Sequence, residues 1–230
     1  MGWCGFFLLF VGTLCASSDP FSFFSMGVAR TVQPNWVNPE DAFQRLMEGN
    51  ARYAADKLNN PDRSSLRRQE VFYKQKPFAV VVGCSDARVP PEIIFDQGIG
   101  DLFVVRVAGQ VVGPIELDSI EYAAKYLGSS LVIVLGHQSC GAVNAVLKGK
   151  TQDIEDIANL ITPAIQHLRK KTLENAVKAN VLWVTEHLKT TPLIQSMMKE
   201  KKINVVGGYY SLADGKVEIL EAATQKMDAS

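Results

Sequence analysis

Short apolar runs alternate with amphipathic segments along most of the chain. Three of these runs are rich in β-branched residues and contain no polar alternation, which is typical of strands buried on both faces of a sheet. They lie at residues 78–82, 102–105 and 131–135, and residues 203–206 are a fourth, weaker candidate. The other segments repeat apolar residues at helical spacing and predict helices at residues 115–127, 140–147, 154–168 and 173–188. Strands and helices in this order indicate an α/β domain.

The two ends of this region carry further signals. Asn38 and Pro39 are the residue types of a helix N-cap and a first helical position, and a helix is predicted from there to about Ala54. A second short helix is predicted within residues 63–74, and residues 209–220 predict a closing hairpin. We therefore expect helices flanking a mostly parallel central β-sheet, with a four-stranded core to which the hairpin could add an edge strand.

Residues 1–25 form an apolar leader that differs from the rest of the chain. Its apolar run is followed by small residues, and Ala16 and Ser18 occupy the −3 and −1 positions of a secretory cleavage site. The run is shorter than the about 20 residues that a membrane-spanning helix needs. We expect a signal peptide or targeting leader, and hence a periplasmic or secreted protein; if Met26 is the true start, the protein is cytoplasmic. Residues 26–230 are expected to form a single domain.

Composition and charge narrow the classes of partner. Of the 230 residues, 47% are apolar and 21% are charged, and Lys plus Arg equals Asp plus Glu at 24 each. A chain without net charge has no electrostatic reason to bind nucleic acid or an anionic membrane, so no nucleic-acid partner is expected. The short leader predicts no stable membrane span. Two of the four cysteines lie in the leader, which excludes a disulfide-stapled scaffold.

Metal-competent side chains follow two of the predicted strands. Cys84 and His137 each come directly after a strand and one glycine. Because the carboxyl ends of parallel strands meet at one edge of a sheet, we expect them to lie close together, and Cys140 can join them from the next helix. Any one of the three would more often be a buried thiol or a turn histidine, but together they favour a metal site. Two thiolates and an imidazole suit zinc, with one Zn²⁺ per subunit.

The residues after Cys84 add a second element of chemistry. Three protein ligands leave the fourth position of a tetrahedral zinc open, as in catalytic sites, although Asp86 could fill that position. Next to a zinc-bound hydroxide, an ionised carboxylate can only accept a hydrogen bond, and Arg88 could hold that carboxylate bidentately. Taken alone, Asp86 and Arg88 are equally well explained by an ordinary salt bridge in a loop.

Two motifs together resemble the signature of the β-class carbonic anhydrases: Cys-Ser-Asp-Ala-Arg at 84–88 and Gly-His-Gln-Ser-Cys-Gly at 136–141. The resemblance covers about residues 39–220. It implies a reversible hydration of carbon dioxide to bicarbonate and a proton by attack of zinc-bound hydroxide, with Asp86 and Arg88 as catalytic residues. It also implies an obligate homodimer, often paired into a tetramer, with the N-terminal helices packed on the partner subunit and the active site at the interface.

The same resemblance implies a set of substrate-binding residues. Gln75 matches a glutamine that hydrogen-bonds the substrate, and Phe103 and Tyr122 match aromatic residues that line an apolar carbon dioxide pocket. In the family these three come largely from the neighbouring subunit; without the resemblance, the two aromatic residues would be interpreted as core or interface packing. Ala108, in a strand-end segment beside the pocket, and Gly141, in the second motif, are also expected at the substrate site.

Two other functions stay open at this point. A hydrolase of carbonyl sulfide or carbon disulfide would share the fold and the ligands and differ in access to the pocket. A non-catalytic zinc-binding protein would have Asp86 as a permanent fourth ligand. Because two thiolates cancel the charge of the metal, water on it should be less acidic than in a site of three histidines, and activity is expected to rise on the alkaline side of neutral.

Overall fold

A computed structural model describes residues 1–2 and 37–220 of the chain. Its five strands are β1 (Ala79–Gly83), β2 (Leu102–Arg106), β3 (Leu131–His137), β4 (Asn204–Tyr210) and β5 (Val217–Leu220). They form one sheet in the order β2-β1-β3-β4-β5. The pairs among β1 to β4 are parallel, and β5 runs antiparallel to β4. The prediction of a mostly parallel sheet with an added edge strand is confirmed.

Eight α-helices flank the sheet within residues 37–220: α1 (Pro39–Ala54), α2 (Ser65–Glu70), α3 (Pro91–Ile94), α4 (Pro114–Tyr122), α5 (Gly141–Leu147), α6 (Glu155–Ile165), α7 (Leu173–Thr190) and α8 (Pro192–Lys199). As predicted, Asn38 caps α1, accepting a hydrogen bond from the Glu40 N–H at 2.9 Å. The helix predicted at 115–127 is divided, because α4 continues as a π-helix over Ala123–Leu127. Helices α3 and α8 have no counterpart in the prediction.

Strand side chains alternate between two apolar layers, one on each face of the sheet. Val81 and Ile133 belong to the layer that includes residues of α1 and α5, whereas Val80 and Val132 belong to the layer that includes residues of α4 and α8. All four side chains are fully buried. Burial on both faces explains why β1 and β3 show no polar alternation in the sequence.

A buried asparagine connects α1 to the rest of the domain. Asn50 Nδ2 donates to the carbonyl oxygens of Ile94 at 3.2 Å and Gly215 at 2.8 Å, and its Oδ1 accepts from the Val217 N–H at 2.9 Å. These bonds hold the first helix against the closing hairpin. The expectation that the N-terminal helices also pack on a partner subunit concerns an assembly, and it stays a prediction.

The carboxyl ends of β1, β2 and β3 lie side by side. Gly83 is in register with Arg106 of β2 on one side and with Leu135 of β3 on the other. Cys84 follows Gly83 directly, and His137 lies two residues beyond Leu135. The parallel register therefore brings two predicted metal ligands to the same edge of the sheet.

The predicted leader at residues 1–25 and the start of the predicted domain at residue 26 lie outside the described residues, apart from Met1 and Gly2. Among the helices that the structure describes, none has the length and apolar character needed to cross a membrane. The signal peptide and the compartment it implies stay predictions.

Candidate metal centre

Three buried side chains meet at the carboxyl edge of the sheet. Cys84 follows β1, His137 is the last residue of β3, and Cys140 is the N-cap of α5. Their ligand atoms, two Sγ and one ring nitrogen, all lie within 4.8 Å of one another. Ligand atoms of a tetrahedral zinc ion lie about 3.4–3.8 Å apart. The three predicted ligands are therefore grouped at close to the separation that zinc requires.

His137 carries a ring nitrogen that fits a metal ligand. Its Nδ1 lies 2.9 Å from the Gln138 carbonyl oxygen. A carbonyl oxygen can only accept, so Nδ1 carries the proton and Nε2 keeps its lone pair. Nε2 is buried, and no described residue gives it a hydrogen-bond partner. A buried nitrogen left unpaired costs free energy, whereas a metal ligand held by a hydrogen bond at its other nitrogen is the usual histidine arrangement.

The pKa values of the two neighbouring thiols shift in opposite directions. The interaction with Cys140 is the main reason that the pKa of Cys84 is lowered to about 4. Burial opposes the shift, and the Gly109 N–H, 3.3 Å from Cys84 Sγ, lowers the pKa further. The same interaction between the thiols, together with burial, raises the pKa of Cys140. Binding of a metal by both sulfurs requires both thiols to lose their protons.

The donor set is typical of zinc. Two sulfurs and one imidazole nitrogen match the ligands that zinc prefers, and three protein ligands leave a fourth position open. Within residues 37–220, this is the one group of three or more metal-competent side chains at ligand spacing, and no carboxylate belongs to it. The group fits a zinc ion with an open position.

Asp86 lies beside this group, where Arg88 restrains it. The backbone N–H and Nε of Arg88 each donate to Asp86 Oδ1 at 2.9 Å, and Nη2 donates to Oδ2 at 2.7 Å. Asp86 Oδ2 is 3.9 Å from His137 Nε2. The side-chain hydrogen bond from Arg88 is the main cause of a lowered pKa at Asp86, so this carboxylate is ionised at neutral pH. The pair is thus part of the geometry of the metal centre.

A second arginine, to which the sequence alone assigned no role, holds the loop that carries these residues. Arg106 Nε donates to the Cys84 carbonyl oxygen at 2.8 Å, and Nη2 donates to the Asp86 carbonyl oxygen at 2.6 Å. Both ends of the Cys84–Asp86 loop are therefore attached to the end of β2. The sequence signal that could have indicated this role was the position of Arg106 directly after the second predicted strand, which is a neighbour of the first strand in the sheet.

The predicted substrate-binding residues come from several elements. The rings of Phe103 on β2 and Tyr122 at the end of α4 lie 6.5 Å apart, and Tyr122 is 47% exposed. Ala108 begins the 3-10 turn after β2, Gly141 begins α5, and Gln75 lies exposed in the loop before β1. The structure brings the two aromatic residues together, and the roles of all five residues stay predictions.

The carboxyl edge of the mostly parallel sheet carries two cysteines and a histidine, which would leave one coordination position of a metal open, and a restrained carboxylate beside them. These features define the class of protein as a candidate mononuclear metalloenzyme. Comparison with known proteins identifies the family within that class. The sequence profile of the family described as carbonic anhydrase matches residues 79–217. The carbonic anhydrase of Mycolicibacterium smegmatis is 40% identical over 193 residues, which cover 79% of this chain and 93% of the relative.

Further relatives agree. Carbonic anhydrase 2 of Mycobacterium tuberculosis is 38% identical, covering 80% of this chain and 93% of the relative. The solved β-carbonic anhydrase CcaA is 27% identical with a TM-score of 0.61, covering 78% of this chain and 95% of that one. A tetrameric β-carbonic anhydrase of Sordaria macrospora, 20% identical with a TM-score of 0.53, shares the fold over 79% of this chain and 98% of its own. The chain belongs to the β-class carbonic anhydrases, a family of enzymes.

Proposed function

We propose that this chain catalyses the zinc-dependent, reversible hydration of carbon dioxide to bicarbonate and a proton. The position of Asp86 carries the proposal. Its carboxylate accepts three hydrogen bonds from Arg88 and lies 3.9 Å from the unpaired His137 nitrogen, beside the ligand group and not within it. A carboxylate held there leaves the fourth position of the metal group open and is close enough to direct a reactant at that position.

In this mechanism Cys84, His137 and Cys140 would hold the ion. Bound zinc would act as a Lewis acid and make hydroxide available near neutral pH. The ionised Asp86 has no proton to donate, so it would accept a hydrogen bond from the hydroxide and thereby orient a lone pair of the hydroxide oxygen toward the substrate carbon. Arg88 keeps the carboxylate ionised and oriented. Attack forms the new C–O bond of bicarbonate, and the proton lost by the water passes to solvent.

The proposal includes a homodimer, which can pair into a tetramer, with its active sites at the subunit interface. Strand β2 lies at an edge of the sheet. The ring of Phe103 on that strand neighbours the ring of Tyr122, which lies 5.6 Å from the ring of Tyr126. Tyr122 and Tyr126 are 47% and 65% exposed. A strand edge that pairs with no other described strand and carries exposed aromatic side chains favours an interface between proteins. A partner there would bring its own Gln75 and aromatic residues to the pocket.

Stopped-flow hydration of carbon dioxide by the zinc-loaded protein, followed with a pH indicator from about pH 6.5 to 9, tests the function. Asp86→Asn keeps the shape of the side chain but removes its charge. We expect it to lower kcat about 100-fold or more while one zinc per chain is retained. Asp156→Asn is the matched control, because this exposed carboxylate lies in the first turn of α6; it should retain the wild-type rate.

Three outcomes would contradict the proposal in different ways. No turnover of carbon dioxide with one zinc bound per chain would favour a non-catalytic protein whose fourth position is closed. Sulfide release from carbonyl sulfide or carbon disulfide that exceeds hydration of carbon dioxide would assign the chain as a hydrolase. Equal kcat values for wild type and Asp86→Asn would remove the aspartate from the mechanism.

A further inference from the structure

Helix α7 carries a buried asparagine, Asn180, and a gain in stability does not explain why its amide is buried. Asn180 has no exposed surface. Its Nδ2 donates to the Gly109 carbonyl oxygen at 2.8 Å, but its Oδ1 has no hydrogen-bond partner among the described residues. A buried amide with an unpaired oxygen is less favourable than an apolar side chain of similar size. The reason for an asparagine at this position is therefore to be found at Gly109.

Gly109 forms a turn that only a residue tolerant of positive φ can adopt readily. Its φ and ψ are 76° and 15°, and the Gln110 N–H donates to the Val107 carbonyl oxygen at 2.9 Å, which together define a type II turn after β2. The Gly109 N–H donates to Cys84 Sγ at 3.3 Å. Gly109 thus accepts a hydrogen bond from Asn180 through its carbonyl oxygen and donates one through its N–H to Cys84, a predicted metal ligand.

Helix α7 is a rigid support for this contact. A Cβ placed on Gly136 would lie 2.4 Å from Val181 and 2.9 Å from Val177, so α7 rests directly on the backbone of β3 next to His137. Val177 and Val181 lie on either side of Asn180 along the helix. The amide of Asn180 is therefore held at a fixed place relative to β3. Because this amide binds the Gly109 carbonyl oxygen, it fixes the position of Gly109 relative to β3 as well.

We propose that Asn180 is a positioning residue of the metal centre, which orients Gly109 so that its N–H donates to the Cys84 thiolate. The bond withdraws charge from the sulfur and restricts the direction in which the sulfur offers its lone pairs. The inference rests on the proposed zinc site. Loss of a hydrogen bond to a metal ligand commonly weakens metal binding 10- to 100-fold. Asn180 acts one bond further out, so we expect an effect of about 10-fold.

The test measures the hydrogen bond and the metal separately from activity. In protein loaded with cadmium-113, NMR detects scalar coupling between the metal and the Gly109 amide proton across the N–H···S bond. Asn180→Leu removes the amide donor at similar volume, and Asn180→Ala removes it without added bulk. Transfer of zinc to a chromogenic chelator then gives the dissociation rate. Thr185→Val is the control, because Thr185 is also buried on α7 and, among residues 37–220, its hydroxyl donates within the helix to the Val181 carbonyl oxygen.

We expect the coupling at Gly109 to be present in wild type and in Thr185→Val. Folded Asn180 variants should lose the coupling and release zinc about 10-fold faster. Absence of the coupling in cadmium-loaded wild type would overturn the inference whether or not the variants fold. So would a variant that keeps both the coupling and the wild-type rate of zinc release. Wild type that binds neither metal would overturn the proposed zinc site as well, which distinguishes the two failures.

Discussion

Alanine at Gly136 should destabilise the protein, whereas alanine at Gly83 should not. Each glycine lies near the end of a buried strand. Gly83 directly precedes Cys84, and Gly136 directly precedes the predicted ligand His137. A Cβ at Gly136 would lie 2.4 Å from Val181 Cγ2. A Cβ at Gly83 would meet nothing nearer than a Pro91 carbon at 3.9 Å, an ordinary contact. The two substitutions are thus chemically identical and differ only in the space that the fold leaves.

The magnitude follows from these distances. Carbon atoms in contact lie about 3.5–4.0 Å apart, so Val181 Cγ2 must retreat by about 1.1 Å or more. Val181 is fully buried, and a helical valine strongly prefers one rotamer, so α7 itself must move. Overpacking costs about 1–3 kcal/mol, and the second close contact, with Val177, places Gly136→Ala at about 2–3 kcal/mol. At about 2–4 °C per kcal/mol, Tm should fall by about 4–12 °C.

Gly83→Ala should leave Tm unchanged or raise it by up to about 4 °C, because alanine reduces the entropy of the unfolded chain by about 0.4–1 kcal/mol. Urea unfolding of the zinc-loaded proteins, followed by circular dichroism, measures both free energies. Val181→Ala removes the clashing carbon, so the Gly136→Ala/Val181→Ala protein should lose about 1 kcal/mol less than the sum of the single losses. Equal stability of the two glycine variants would refute the packing argument.

Three further predictions concern charge and metal. Burial opposes ionisation of Asp96, but hydrogen bonds led by that from Arg52 outweigh it and lower the Asp96 pKa. Asp96→Asn should therefore lower the free energy of unfolding by about 1.5–3 kcal/mol at pH 7, as measured by urea titration. A carboxylate whose pKa is lowered by folding stabilises the protein only at pH values above its pKa in the unfolded chain, so the difference should shrink as pH falls below about 4. Chelation of zinc should expose Cys84 as a thiolate, and peptide mapping after alkylation at pH 7 should find it labelled far faster than in the zinc-loaded protein; equal rates would contradict metal binding by Cys84. Arg88→Lys, which cannot donate two parallel hydrogen bonds to one carboxylate, should lower kcat about 10-fold or more in the hydration assay, and an unchanged kcat would contradict the orienting role.

The sheet and the ligand group were predictable because their signals are local. Strands buried on both faces must be continuously apolar, and β1 and β3 are. Cys84 and His137 directly follow such runs, and the rule that parallel strands end at one edge places them together without any knowledge of packing. The Asp86–Arg88 pair was equally accessible, since two residues of separation permit the bidentate contact that is observed.

The supporting contacts were not predictable, because they join residues far apart in the chain. Arg106 reaches back 22 residues to the Cys84 carbonyl oxygen, and Asn180 reaches back 71 residues to Gly109. Nothing in the surroundings of an asparagine within an amphipathic helix reveals which loop that helix will cover. The predicted pocket residues presented the opposite difficulty. Gln75 and Tyr122 are exposed in the single chain, and the roles predicted for them depend on a second copy.

The charges at the metal centre explain why two arginines lie there. Two thiolates and a divalent ion are formally neutral, so Asp86 would be an uncompensated negative charge beside two sulfurs if it stood alone. Arg88 cancels that charge through its carboxylate contacts, and Arg106 adds one positive charge through bonds to the Cys84 and Asp86 carbonyl oxygens. With zinc bound and no anion at the fourth position, the centre would be positive by one formal charge. A neutral substrate can enter such a site without electrostatic penalty. With hydroxide as the nucleophile, the net charge would be the same before and after attack, and the arginines would stabilise the negative charge as it spreads over the bicarbonate oxygens. The same excess charge would retain the product, so the partial exposure of both guanidinium groups to solvent, which screens them, favours its release.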